Sequence, residues 1–198
     1  MKGTAMARIE IPEGDGEDRE RMWQLRPELG AAAENFSAVV QASTILSVRE
    51  HEAARIRIAH LNGCEPCSEA RMADMDAWGM DDSFYDDVDD PCLRSRYSPR
   101  EGIAIEFAER FVAGGAAFDE EFWTRCRDLY MDAEIVDLAT SCAKWLGLGR
   151  INVVLGLSVS CPVRITPPQS ANRLQPVDRS DCPASPRADA RRGRDDGR

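Results

Sequence analysis

From Asp132 the segment DAEIVDLATSCAKWLGLGRINVVLGL sets Ile135, Leu138, Ala139, Cys142 and Leu146 at steps of three and four residues. That spacing lines one face of a helix, whereas a half-buried strand would alternate every second residue. Asp132 is read as the cap that starts it. The same grammar recurs upstream. In SPREGIAIEFAERFVAGG, Ser98 caps, Pro99 takes the first helical position, Glu101 stands three residues after the cap, and Gly114 and Gly115 end the run. Asp119 opens a shorter helix through DEEFWTRCRDLYM, and Ser47 opens one that runs to about Asn62 and stops at Gly63. A further helix is expected to begin at Cys64 and stop near Gly79. No stretch shows convincing strand alternation and no repeat has a fixed period, so the expected fold is all-α, a compact helical domain.

The 198 residues suit one domain with additions. The expected order is an N-terminal lead and first helix over 1–30, the helical domain over 31–161, and a tail over 162–198. That tail holds six of the eleven prolines, eight arginines and five aspartates. With few large apolar groups it buries too little surface to offset its ordering entropy, so it is expected to be disordered. A formal net charge of −10 argues against nucleic acid as a partner, since phosphate binding calls for a gathered positive face. The first 25 residues carry no apolar signal-peptide core, and the longest apolar run, INVVLGLSV, is too short to span a bilayer. The expectation is a cytoplasmic protein without a membrane partner.

Seven cysteines, an odd number, fit a compartment where thiols stay reduced and a close pair serves chemistry. Two of them form the Cys-x-x-Cys of HLNGCEPCSEAR, just after Gly63. If Cys64 caps a helix, Cys67 lies in its first turn, near unpaired N–H groups that favour thiolate, the reactive form. Three-residue separation also brings both sulfurs within reach of a disulfide, and Pro66 is tolerated in a first turn. A redox pair ranks above two ordinary buried cysteines. Zinc ranks well below, because Cys92, Cys126, Cys142 and Cys161 are isolated and His51 and His60 both lie upstream. Cys142, on its apolar stripe, is read as core. No metal or other cofactor is called for. Glu52 and His60 stand eight residues apart on roughly one side of the helix that feeds the motif, where a carboxylate beside the thiols would serve as base or proton relay. Read without that context, Glu52 is a solvated surface residue.

The stretch EHEAARIRIAHLNGCEPCSEARMADMDAWGM resembles the central motif of the carboxymuconolactone decarboxylase-like family, in its alkylhydroperoxidase AhpD-like branch. YSPREGIAIEFAERFVAGG and MDAEIVDLATSCAKWLGLGRINVVLGL resemble the next helices in the same order, so the likeness spans about Ala31 to Ser160. It implies an all-helical subunit of a homo-oligomer that reduces small hydroperoxides and is recycled by a dithiol or protein reductant. By position, Cys67 corresponds to the thiol that attacks peroxide, Cys64 to its resolving partner, and Glu52 to the relay carboxylate. The family's histidine four residues after the second cysteine is replaced by Arg71, a permanent cation that cannot shuttle protons. Arg71 is expected to hold a thiolate or pair with Glu52, and His60 is the candidate to replace the missing imidazole. The alternatives are a lyase acting on a carboxylated lactone, as in the founding branch, and a non-catalytic redox-sensing or binding protein on the same scaffold.

Overall fold

The computed structural model describes residues 7–157 and 164–165. Its helices are α1 (Asp18–Arg21), α2 (Pro27–Ser43), α3 (Val48–Asn62), α4 (Glu65–Glu69), α5 (Asp82–Asp86), α6 (Pro99–Ala113), α7 (Glu120–Leu129) and α8 (Asp132–Leu155), with short 3-10 turns between them. The all-α expectation holds. A small departure is a parallel pairing of β1 (Arg71–Met72) with β2 (Arg164–Ile165), two residues each. The rest of the 162–198 tail lies outside the described residues, as do Cys161 and Cys182.

The caps explain most boundaries. Ser47 Oγ accepts from the Glu50 N–H at 3.2 Å while Glu50 reaches back to the Ser47 N–H, and Ser98 and Glu101 repeat the arrangement at the start of α6. Asp119 caps α7 by accepting from the Phe122 N–H at 2.7 Å. Asp132, by contrast, is the first residue inside α8, not its cap; Glu134 accepts from the Met131 N–H at 2.7 Å instead. α2 runs from Pro27 through Ser43 without a break at residues 30 and 31.

α3 is the central element, packed along α6 and α8 and in contact with α4 and α5. Ala54 and Ile58 face one core, with Ile103, Phe107, Phe122, Leu138 and Cys142, while Ala53 and Ile56 face another, with Met72, Tyr85, Val88 and Ile105. Burying a side chain such as Ile56 or Ile58 completely contributes about 1.5–3 kcal/mol. Because two cores flank α3, its polar residues are buried as well: Glu50, His51, Glu52 and Arg55 all lie inside. Each has a hydrogen-bonding partner, although His51 uses only Nε2 and its buried Nδ1 has none among the described residues. Glu50, for example, takes two hydrogen bonds from Arg100, which also reaches Glu134 at 2.7 Å. Cys142 and Cys126 are buried in the α8 and α7 core, and Cys92 is exposed.

Candidate active site

Gly63 ends α3 in the left-handed conformation, φ 62°, and turns the chain so that Cys64 precedes α4 as its N-cap residue. Cys67 sits in the first turn, and the two are joined as a disulfide with Cα atoms 5.2 Å apart. The expected single helix from Cys64 to Gly79 is corrected here: α4 stops at Glu69, and Ala70 turns extended at ψ 135°. The backbone groups that a longer helix would have paired are taken elsewhere. Arg55 donates to the carbonyls of Cys67 at 2.8 Å and Ala70 at 2.9 Å, the Tyr85 hydroxyl accepts from the Met72 N–H, and Ala73 N–H reaches the Ile165 carbonyl. Any field on the thiols therefore comes from a single helical turn.

The two sulfurs differ in access. Cys64 is buried, 1% exposed, whereas Cys67 is half-buried and opens onto a cavity of about 570 Å³. Met22, Trp23, Trp145 and Leu148 supply apolar wall to that cavity. Gly149 makes the approach possible on the α8 side: a Cβ there would stand 2.9 Å from Asn62 Nδ2 and 3.8 Å from Cys67 Sγ. Asn62 is itself held by the Leu146 carbonyl at 3.1 Å and by Arg150 at 2.7 Å, so it has little room to yield.

Glu52 is fully buried, which overturns its reading as a solvated surface residue. Its ion partner is Arg55, with contacts of 2.8 and 3.0 Å, and its Oε2 also accepts from the Tyr85 hydroxyl at 3.3 Å. Burial and the negative charge of Glu52 push the Tyr85 phenol up to about 12, so it stays a donor. Arg55 thus links the buried carboxylate directly to the backbone of Cys67. Arg71 does not pair with Glu52. It donates to the Ser68 carbonyl, approaches Asp82 at 3.5 Å and Asp86 at 3.6 Å, and lies 4.5 Å from the centre of the Tyr85 ring. His60 bonds Asp89 through Nδ1 at 2.9 Å. Among the described residues that line the cavity, neither Arg71 nor His60 occurs. The structure therefore brings Glu52, Cys64 and Cys67 together through Arg55, and sets Arg71 and His60 apart from the cavity.

Three residues to which the sequence reading gave no role at the site stand beside these groups. Arg55 was visible only as a carboxylate-to-guanidinium spacing of three on one helix, a common surface pattern. His51, 0% exposed, hydrogen-bonds Ser141 at 3.2 Å and meets the Trp145 ring edge-on at 4.5 Å; burial, with the positive charges of Lys144 and Arg55, lowers its pKa to about 3. Lys144 lines the cavity, and burial together with the charge of Arg55 lowers its ammonium to about 8. The signal for it was compositional: the chain has two lysines, Lys2 and Lys144, among 25 basic residues.

A helical domain with a cysteine pair at disulfide distance, one sulfur facing a cavity, defines a scaffold able to pass between dithiol and disulfide. The fold is AhpD-like. A crystal structure of a protein of unknown function from Agrobacterium tumefaciens, provisionally named as the antioxidant defence protein AhpD, matches with a TM-score of 0.60 at 19% identity, covering 70% of this chain and 95% of that one. No family model matches the sequence. No curated protein matches it either. None of the described helices is long and apolar enough to cross a membrane.

Proposed function

We propose that this chain is a thiol-dependent peroxidase or disulfide oxidoreductase that cycles Cys64 and Cys67 between dithiol and disulfide while reducing small hydroperoxides. The observation that carries the reading is the asymmetry of the pair: Cys67 faces the cavity, and the sulfur bonded to it belongs to buried Cys64. In the reduced protein, the Cys67 thiolate attacks the distal oxygen of the hydroperoxide. The S–O bond forms as the O–O bond breaks, the alkoxide leaves and takes a proton to become the alcohol, and Cys67 becomes a sulfenic acid. Cys64 then attacks that sulfur, closing the disulfide and releasing water. A dithiol or protein reductant returns two electrons and two protons and is itself oxidised.

Glu52 is the carboxylate in reach of this chemistry, acting through Arg55 on the Cys67 segment and through the Tyr85 hydroxyl. Arg71 and His60 serve as anchors of the surrounding chain through Asp82, Asp86 and Asp89, a reading supported by their partners. A homo-oligomer is favoured by the exposed Leu29, Phe36 and Val39 of α2 and Val136 and Val154 of α8. A pair that cycles between dithiol and disulfide, with a reductant at hand, agrees with a cytoplasmic setting.

Dimedone labelling after a low dose of peroxide tests the assignment. Cys64→Ser protein should carry the label on Cys67, and Cys67→Ser protein should neither consume peroxide nor be labelled. Label on Cys64 of the Cys67→Ser protein, with none on Cys67 in the reverse variant, would invert the roles. Two unmodified thiols in the unaltered protein would remove the chemistry altogether.

A further inference from the structure

The cavity beside Cys67 contains a charge that the peroxide chemistry above does not use. Lys144 projects from α8 into the same cavity that Cys67 lines, it is half-buried, and it makes no hydrogen bond or ion pair with the described residues. Its charged neighbours do not neutralise it. Arg55 is a second cation, His51 is held neutral, and Glu52, the one carboxylate acting on it, is already engaged by Arg55 and Tyr85. The other charged groups on the cavity wall, Arg19, Glu20 and Glu34, are exposed and screened by water. The rest of the wall is uncharged, apolar Met22, Trp23, Trp145 and Leu148 together with polar Ser37, Gln41, Asn62 and Asn152, and the Lys144 ammonium lies 5.8 Å from the centre of the Trp145 ring. Burial and the neighbouring Arg55 cation make the charged form of Lys144 costly, which is the reason its ammonium sheds a proton more easily than usual. An anion docking there would recover that cost.

We infer that Lys144 is a specificity-determining anchor for a carboxylate, and that the cavity takes hydroperoxides with an apolar body and a carboxylate remote from the peroxide. The inference rests on the peroxidase reading of Cys67 for the reaction, though not for the binding. The carboxylate pairs with Lys144, the apolar body lies against Trp23, Trp145 and Leu148, and the hydroperoxide end is presented to Cys67. Arg55 does not share the role, because its charge is matched by Glu52 and four of its five N–H donors are committed to Glu52 and to the carbonyls of Cys67 and Ala70.

The test separates binding from turnover. In the disulfide form, where no peroxide chemistry takes place, tryptophan fluorescence reports the cavity through Trp23 and Trp145. 4-Isopropylbenzoate should bind about 10- to 100-fold more tightly than 4-isopropylbenzyl alcohol, the range for a hydrogen-bonded charge pair. Lys144→Met should abolish the preference, and Lys144→Arg should keep it. Equal affinity for the two probes, or a preference that survives Lys144→Met, overturns the inference whatever the protein catalyses. In the reduced form, 4-carboxycumene hydroperoxide should be favoured over cumene hydroperoxide through KM, and Lys144→Met should erase that difference. If Lys144→Met slows both hydroperoxides by one factor, Lys144 supports the thiolate and not the substrate, and the anchor fails. If the carboxylate binds as expected and neither hydroperoxide is reduced, the anchor stands and the peroxidase reading falls.

Discussion

Replacing Glu52 with Gln tests whether the buried ion pair holds the cysteine helix in place. Glu52 is 0% exposed and Arg55 5% exposed, and they meet through two hydrogen bonds of 2.8 and 3.0 Å. The amide keeps the shape and an acceptor for the Tyr85 hydroxyl, but it leaves the Arg55 guanidinium buried without a counterion. Removing one partner of such a pair costs about 3–5 kcal/mol, a large share of the roughly 5–15 kcal/mol that holds a domain together. Removing an exposed partner costs far less: Arg127→Gln, whose side chain is 53% exposed and 3.8 Å from Glu120, should change stability by about 0.5 kcal/mol or less. Urea unfolding of the disulfide form measures both. With a slope of about 2 kcal/mol per molar urea, a loss of about 4 kcal/mol moves the midpoint down by about 2 M for Glu52→Gln. Because Arg55 also holds the Cys67 and Ala70 carbonyls, the variant should lose protection from hydrogen exchange in α4 before other elements. A midpoint shift below about 0.5 M at unchanged slope would refute the reasoning, since the carbonyls alone would then suffice for the guanidinium.

Other outcomes follow from the same geometry. His51, whose pKa burial lowers from 6.5 to about 3, refuses a proton that the unfolded chain accepts, so its contribution is intact above pH 6.5 and is lost as pH falls from 6.5 towards 3. Near pH 4.5 the loss should reach about 3 kcal/mol, and a urea midpoint profile of His51→Gln that keeps the same acid slope would refute this. Gly149→Ala should destabilise by about 1–3 kcal/mol, because the new methyl meets Asn62 Nδ2 at 2.9 Å, and should slow Cys67 oxidation in stopped flow; unchanged values for both would show that Asn62 yields freely. Arg71→His should alter peroxide turnover less than about twofold and cost about 1 kcal/mol or less, since its carboxylate partners are exposed and the side chain does not line the cavity. A several-fold rise in turnover, with a pH dependence near the imidazole range, would give position 71 a proton-relay role.

Local signals and tertiary facts divide cleanly along this chain. Ser47, Ser98, Pro99, Asp119 and Gly63 announce their helix ends because a cap is an interaction among residues three or four apart. The apolar stripe of α8, the all-α class and the Cys64–Cys67 spacing are likewise periodic or local, and could be read from the order of residues alone. The end of α4 could not. Nothing local stops a helix at Glu69; it stops because Arg55, Tyr85 and Ile165, from distant parts of the chain, take the backbone groups that a longer helix would have paired. Nor could Glu52 be distinguished from a surface glutamate, since α3 is flanked by two cores and a single amphipathic stripe does not describe a helix buried on both sides. Which residues meet Cys67, and which merely stand near it in sequence, was decided by packing. Arg71 is four residues from Cys67 and turns to Asp82 and Asp86, while Lys144, 77 residues away, shares its cavity. Sequence order carries the local conformational preferences of the backbone, but the electrostatic neighbours of a buried group are chosen only when helices from opposite ends of the chain close around it.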